Sequence, residues 1–250
     1  MSDRSQHYKQ SEISVVIAAA GKGSRSGLSY PKCLYKINRV SILARILKNL
    51  TTIDKSPTII VSPSGYEEIL DEVNKLKVNA KLIIQKSQKG MGDAVIQLNN
   101  IYNSLHKNIL LIWGDVPFIS KDTVHRLISS HLKEDNSFTL ATMLTDQPYT
   151  IIQRDLNKNI SSIIETKNNA EVSIPNKGER DLGLFLFNKE IILNLLSKDL
   201  PRKFNSGDGE HGFLYVIEHL YKNSHKIGSI EVMNKKESIS FNSLSDLSST

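Results

Sequence analysis

The residues best suited to chemistry stand where apolar runs end. Ile13–Ala20 (ISVVIAAA) gives way to Gly21-Lys-Gly23-Ser24-Arg25-Ser-Gly27, and Tyr30-Pro31-Lys32 follows. Glycines at the end of a strand leave backbone N–H groups uncovered by side chains, and Arg25 adds a positive charge. On physical grounds this is a candidate phosphate cradle. It is not a Walker loop, because no Gly-Lys-Ser/Thr stands at the required spacing, and Ser26 replaces the third glycine of a dinucleotide fingerprint. Two more runs end in the same manner. Lys81–Ile84 leads into Gln85-Lys-Ser-Gln88-Lys-Gly90-Met-Gly92, and Ile109–Trp113 leads into Gly114-Asp115-Val116-Pro117. Each has a plainer reading: a strand-to-glycine turn is as often a flexible loop, and Asp commonly ends a strand in a turn. Cys33 has no nearby His for a dyad and reads as a small core residue. The seven histidines show no metal-ligand spacing; His125, His131, His211 and His219 read as surface or half-buried.

These loops need elements to hold them. Ile13–Ala20 is a β-branched and small apolar run of the kind buried on both faces. Ser41 N-caps a helical stripe to Thr51, Thr58–Val61 is a second strand, and Ser64-Gly-Tyr-Glu67 has the form of a capping box for a helix ending near Leu76. Lys81–Ile84 and Ile109–Trp113 are strands, with helices over Asp93–Leu105 and Ser120–Leu132. Strands and helices alternating in this way predict an α/β fold with a parallel sheet, in which ligands bind outside the carboxyl ends of the strands. From residue 137 strands dominate: Phe138–Met143, Tyr149–Arg154, Ile160–Glu165, Leu182–Phe187, Lys226–Val232 and Ser238–Phe241, with helices near 189–197 and 210–223. No low-complexity linker or repeat interrupts the chain, so one domain with two lobes is expected.

With 250 residues, 39% of them apolar and 23% charged, the chain can bury a large core and is not a disordered type. The polar start and the shortness of every apolar run predict no signal peptide and no membrane insertion, and a single cysteine excludes an internal disulfide. A cytoplasmic protein is expected. The net charge of +6 is dispersed, and Lys outnumbers Arg about three to one. That pattern favours small anionic substrates over nucleic acid.

Taken together, Ala19-Ala20-Gly21-Lys-Gly23-Ser24-Arg25, Pro31-Lys32 and Trp113-Gly114-Asp115-Val-Pro closely resemble the signature of sugar-nucleotide pyrophosphorylases, a nucleotidyltransferase family. The likeness is strongest to the pyrophosphorylase domain of the N-acetylglucosamine-1-phosphate uridyltransferases. Gln85 to Gly92 resembles their base loop, Ile163-Ile164-Glu165-Thr-Lys167 their sugar-side stretch, and Phe241-Asn242 the position of their second metal ligand. The resemblance implies a single Rossmann-like nucleotidyltransferase domain over 13–250, with a mixed, mainly parallel sheet flanked by helices. Residues 1–12 would form a flexible tail, 13–116 a nucleotide-binding half and 117–250 a sugar-binding half. It implies transfer of a nucleotidyl group from an NTP, UTP above all, to a sugar 1-phosphate with Mg²⁺. Ala19, Ala20, Gly21, Gly23, Ser24 and Gly114 would hold the triphosphate, Arg25 the leaving pyrophosphate, and Lys32 the α-phosphate or the attacking phosphate. Asp115 and Asn242 would bind the metal, Gln85 and Gly90 the base, and Trp113, Thr150, Glu165 and Asp181 the sugar side.

The departures from that family gather on the sugar side. Its Gly-Tyr-Gly-Arg reads Pro148-Tyr149-Thr150-Ile151 here, its Asn-Thr-Gly reads Asp181-Leu182-Gly183, and its Glu-Tyr-Tyr-x-Thr-Asp reads Glu210-His-Gly-Phe-Leu-Tyr215. Gly90-Met-Gly-Asp93 replaces a Gly-Thr-Gly-His. An aspartate in place of an asparagine turns a donor into an acceptor, which argues against N-acetylglucosamine 1-phosphate as acceptor. Two alternatives follow: a cytidylyl- or guanylyltransferase acting on another sugar or alcohol phosphate, and a catalytically silent nucleotide-sugar-binding protein. The chain shows no hexapeptide repeats, so neither acetyl transfer nor a trimer built on such repeats is expected.

Overall fold

The first apolar run becomes the central strand. In chain order, a computed structural model has β1 (Ile13–Ala18), a hairpin of β2 (Lys36–Ile37) and β3 (Val40–Ser41), α1 (Ile42–Leu50), β4 (Thr58–Val61), α2 (Tyr66–Leu76) and β5 (Lys81–Ile84). Next come α3 (Met91–Ile96), β6 (Asn108–Trp113), α4 (Lys121–Lys133), β7 (Phe138–Asp146), β8 (Thr150–Arg154) and β9 (Ile160–Glu165). β10 (Lys177–Asn188), α5 (Lys189–Ser197), α6 (Val216–Lys222) and β11 (Ile227–Glu231) complete the chain. The described residues are 12–21, 27–166, 174–205, 209–243 and 246.

Seven strands form one sheet in the order β11-β7-β10-β6-β1-β4-β5. β1 runs parallel to β4 and β6, β4 to β5, and β7 to β11; β10 is antiparallel to both β6 and β7. The sheet is thus mixed and mainly parallel, as expected. Period-two alternation divides the core between its faces. Val15, Ile17, Leu110 and Ile112 pack with α1, α2 and α4, whereas Val16, Ala18, Ile109 and Leu111 pack with α3, α5 and α6. After β1 the chain crosses to β4 and β5 on one side, then returns to β6 on the other. That reversal opens a crevice at the carboxyl ends of β1 and β6. Among the described residues no helix is long and apolar enough to cross a membrane.

Helix starts follow local chemistry. Ser41 accepts the Ala44 N–H at 3.1 Å and Ser120 accepts the Thr123 N–H at 3.1 Å. Ser41→Ala is expected to cost about 1 kcal/mol, read as a lower urea midpoint. The capping box at Ser64 does not form. Pro63 opens a short 3₁₀ turn, and the cap is Ser62, whose hydroxyl accepts the Gly65 N–H at 3.1 Å. The helix expected over Asp93–Leu105 spans only Met91–Ile96 before it tightens into a 3₁₀ segment, Gln97–Ser104, broken at Ile101 (φ −126°). The hairpin at 36–41 was not anticipated; its turn, Asn38-Arg39, has both residues at positive φ, 51° and 66°. His131 is buried rather than at the surface, with Nδ1 2.9 Å from Thr139 Oγ1, and burial lowers its pKa to about 4.

Ser238–Phe241 is not a strand: Lys235–Ser238 forms a 3₁₀ turn, and the Phe241 N–H bonds the Asp115 carbonyl at 2.8 Å instead of a neighbouring strand.

Candidate active site

Where β1 and β6 end side by side, a cavity of about 490 Å³ opens. Its floor has a backbone cause. Gly114 donates its N–H to the Ala18 carbonyl at 2.9 Å, and a Cβ on Gly114 would stand 3.0 Å from that oxygen. The turn carrying Asp115 is therefore held against the end of β1. From the far end of the chain, Phe241 stacks its buried ring on Tyr35 with centroids 4.5 Å apart. That stack, with the Phe241 to Asp115 backbone bond, brings Asn242 beside Asp115.

Lys32 joins the two. Its Nζ lies 3.0 Å from Asp115 Oδ2, 3.1 Å from the Phe241 carbonyl oxygen and 3.4 Å from Asn242 Oδ1. The lysine stands in a 3₁₀ turn, Lys32–Leu34, anchored by buried Cys33. Burial pushes the Cys33 thiol up to about 12, so it stays protonated and unreactive although it borders the cavity. Asp115 Oδ1 is buried with no hydrogen-bond partner among the described residues. An orphaned carboxylate oxygen beside an amide oxygen and a carbonyl is a hard-donor set, suited to a small divalent cation that keeps several waters. Among the described residues no group of three or more His, Cys, Asp or Glu could hold a metal, so any ion here relies on this mixed oxygen set.

Residues 15–178 match the MobA-like NTP transferase domain. The chain belongs to that family. Among its relatives is the bifunctional protein GlmU of Lactobacillus johnsonii, 30% identical over 91% of this chain and 48% of that protein. GlmU of Buchnera aphidicola is 27% identical over 95% and 50%. The chain therefore spans about half the length of the curated relatives it matches. Among solved structures, UDP-glucose pyrophosphorylase complexed with UDP-glucose superposes at a TM-score of 0.68, with 16% identity over 87% of this chain and 89% of that one. A Bacillus anthracis protein assigned as a glucose-1-phosphate thymidylyltransferase, solved with a sucrose, gives 0.70 and 16% over 88% and 87%. At that identity the likeness is one of fold.

In this chain, Ala19, Gly21, Lys32, Trp113, Gly114, Asp115, Thr150, Glu165 and Asn242 all border the cavity. Gly23, Ser24, Arg25 and Lys167 lie outside the described residues. Four other expected residues stand back from it. Ala20 is buried, and its carbonyl accepts from Gln88 Nε2. Gln85 is buried too, its amide nitrogen donating to the Gly90 carbonyl at 3.0 Å and to Asp93 Oδ2 at 2.8 Å. Gly90 has φ 104°, and a Cβ there would come within 2.4 Å of the His211 carbonyl oxygen. The backbone that approaches Gly90 is thus this chain's own.

Asp181 is fully buried behind the wall, where burial raises its pKa. Its carboxylate accepts from Thr150 Oγ1 at 2.6 Å and from the Gly183 N–H at 2.9 Å, so it aims the threonine that borders the cavity. The pairing of β10 with β7 is interrupted between Asp181 and Phe185 by a bulge, and within it Gly183 has φ +68°. A Cβ on Gly183 would meet the Trp113 ring at 2.9 Å, so only glycine lets the indole lie flat against β10. Tyr149 borders the cavity with the Arg180 guanidinium 3.8 Å over its ring.

Sequence reasoning left one part of the wall unassigned: Met91, Asn205 and the segment Glu210–Leu214. His211, buried rather than half-exposed, donates its N–H to the Lys89 carbonyl at 2.6 Å and accepts from the Gly92 N–H at 2.9 Å. The loop after β5 and the segment before α6 are thereby joined backbone to backbone. The only signal in the sequence was glycine spacing, Gly90 and Gly92 on one side and Gly209 and Gly212 on the other.

Proposed function

We propose that this chain transfers a nucleotidyl group from a nucleoside triphosphate, with UTP as the donor, to a sugar 1-phosphate. The observation that carries this reading is the convergence of Asp115, Asn242 and Lys32 at the crevice where β1 and β6 end. A sugar-phosphate oxygen attacks the α-phosphorus, the bond from that phosphorus to the bridging oxygen breaks, and pyrophosphate leaves. The attacking oxygen is already anionic, so no general base is required. What remains is bringing two polyanions together, a task of positioning and charge neutralisation.

In this reading Ala19, Gly21 and Gly114 line the cradle with Ala20 behind them, and Gly23, Ser24 and Arg25 are assigned to the triphosphate and the leaving pyrophosphate. Asp115 and Asn242 would hold Mg²⁺, which when bound supplies charge neutralisation and polarisation of the α-phosphate. Lys32 meets phosphate oxygens. Trp113, Thr150 and Glu165 face the sugar side, and Asp181 acts there through Thr150. Gln85 and Gly90 shape the base loop. The family's activity is in keeping with a cytoplasmic enzyme of nucleotide-sugar formation.

One observation favours a second reading, cytidylyl transfer. Both amide hydrogens of Gln85 are engaged within the chain, by Gly90 O and Asp93 Oδ2, so that amide has no hydrogen left to give a base. Uracil O4 would receive no hydrogen from that side chain, whereas cytosine offers an amino group in its place.

The test is pyrophosphate release with Mg²⁺, crossing four NTPs with a panel of sugar and alcohol phosphates. Release confined to UTP supports the first reading and release confined to CTP the second. Nucleotide binding without release from any acceptor would point to a silent binding protein and overturn both.

A further inference from the structure

A cation already sits between Asp115 and Asn242, and it belongs to the protein. Three oxygens, Asp115 Oδ2, Phe241 O and Asn242 Oδ1, converge on the Lys32 ammonium at 3.0, 3.1 and 3.4 Å. Those contacts are about 1 Å longer than the roughly 2.1 Å bonds that Mg²⁺ forms with oxygen. An ion centred among these oxygens would take the space the ammonium now fills, and two positive charges at that separation repel strongly in a partly buried cavity.

We propose that Lys32 is the resident occupant of the divalent-cation site, that the Phe241 carbonyl is its third protein ligand, and that a divalent ion enters by displacing the ammonium. This rests on the metal reading of Asp115 and Asn242 given above.

The surrounding structure suits an exchange. The lysine backbone is fixed by its 3₁₀ turn and by buried Cys33, while the side chain keeps 17% of its surface exposed and carries a flexible four-carbon stem. The three oxygens, by contrast, are tied down. The Phe241 ring is stacked on Tyr35, its N–H is bonded to Asp115 O, and the Asn242 N–H donates to Asp246 Oδ2 at 2.7 Å. The lysine can leave while its acceptors stay. A displaced ammonium in a cavity meant for a triphosphate finds phosphate oxygens as its next partner. Cation and nucleotide then strengthen each other's binding, because each makes the lysine's move less costly for the other.

The experiment is Mn²⁺ binding to the full chain without nucleotide, followed by the electron paramagnetic resonance signal of free Mn²⁺. Wild type is compared with Lys32→Met, Lys32→Arg and Lys32→Met/Asp115→Asn. Lys32→Met should bind Mn²⁺ about tenfold tighter or better, the scale of one charge-assisted hydrogen bond the ion no longer has to break. Lys32→Arg should remain weak, and the double variant should lose the gain. Should Lys32→Met fail to fold, Lys32→Gln carries the same expectation. Affinity unchanged or lowered in the neutral variant would overturn the exchange while leaving Asp115 and Asn242 as ligands. No Mn²⁺ binding to any of the proteins at millimolar concentration would overturn the metal reading itself, and the exchange with it.

Discussion

Asp115→Ala is expected to lower pyrophosphate release by about 10³-fold or more, the upper range for loss of a group that acts on developing charge. The fold should survive. The backbone of Asp115 does the structural part, receiving the Phe241 N–H at 2.8 Å, and alanine keeps that carbonyl. Lys32 loses one acceptor but retains Phe241 O and Asn242 Oδ1. What disappears is the carboxylate, one oxygen paired with Lys32 and the other buried with no partner among the described residues. Circular dichroism melting alongside the assay separates the two effects. Activity within about tenfold of wild type in a folded variant would contradict the assignment of Asp115 to the reaction centre.

Gly92→Ala should weaken the site by another route. A Cβ there would stand 2.0 Å from the Gly212 carbonyl oxygen and 2.6 Å from the His211 ring, and the carbonyl is backbone that cannot swing aside. Overpacking of this kind costs on the order of 1–3 kcal/mol, and the simplest relief is separation of the loop after β5 from the segment before α6. Both carry cavity residues, Met91 on one and His211 on the other. KM for the nucleotide and for the acceptor should therefore rise together, by about 10-fold or more on that energy scale. Gly212→Ala is the control: its Cβ would find no atom closer than 3.4 Å, so stability should remain near wild type. If the two variants behaved alike, the clash would not be the cause.

Strands rich in apolar and β-branched residues were legible whether buried or at an edge. Thr58–Val61, Lys81–Ile84 and Ile160–Glu165 lie where the apolar runs placed them. β4 is buried throughout, as a parallel-sheet strand covered on both faces must be, whereas β5 and β9 are only partly buried and were visible by composition alone. Where pairing depended on polar residues the strand end was not visible: β10 begins at Lys177, five residues before the apolar run, because the polar stretch Lys177 to Asp181 already pairs with β7. Phe241 misled for the opposite reason. The alternation Ser238-Ile239-Ser240-Phe241 suggested a strand, but a buried aromatic ring also anchors a segment without any ladder.

The site was legible where it sits directly after a strand. Gly114 and Asp115 follow β6 directly and Gly21 comes three residues after β1, and strand direction alone carries them to one crevice. Lys32 and Asn242 came from the resemblance, since no spacing relates residues 210 apart in the chain. The role of Gly90 could not be read locally at all. Its positive φ serves a contact with His211, and long-range backbone approach leaves no pattern in the sequence around either residue.

The bulge at Gly183 has one more consequence. The chain has a single tryptophan, and that bulge sets its indole against β10 at the rim of the cavity, beside Phe185 with centroids 5.5 Å apart. All the tryptophan emission of the molecule therefore originates next to the place where ligands would lodge. The protein carries its own optical gauge, so occupancy can be followed in unlabelled material and without waiting for turnover.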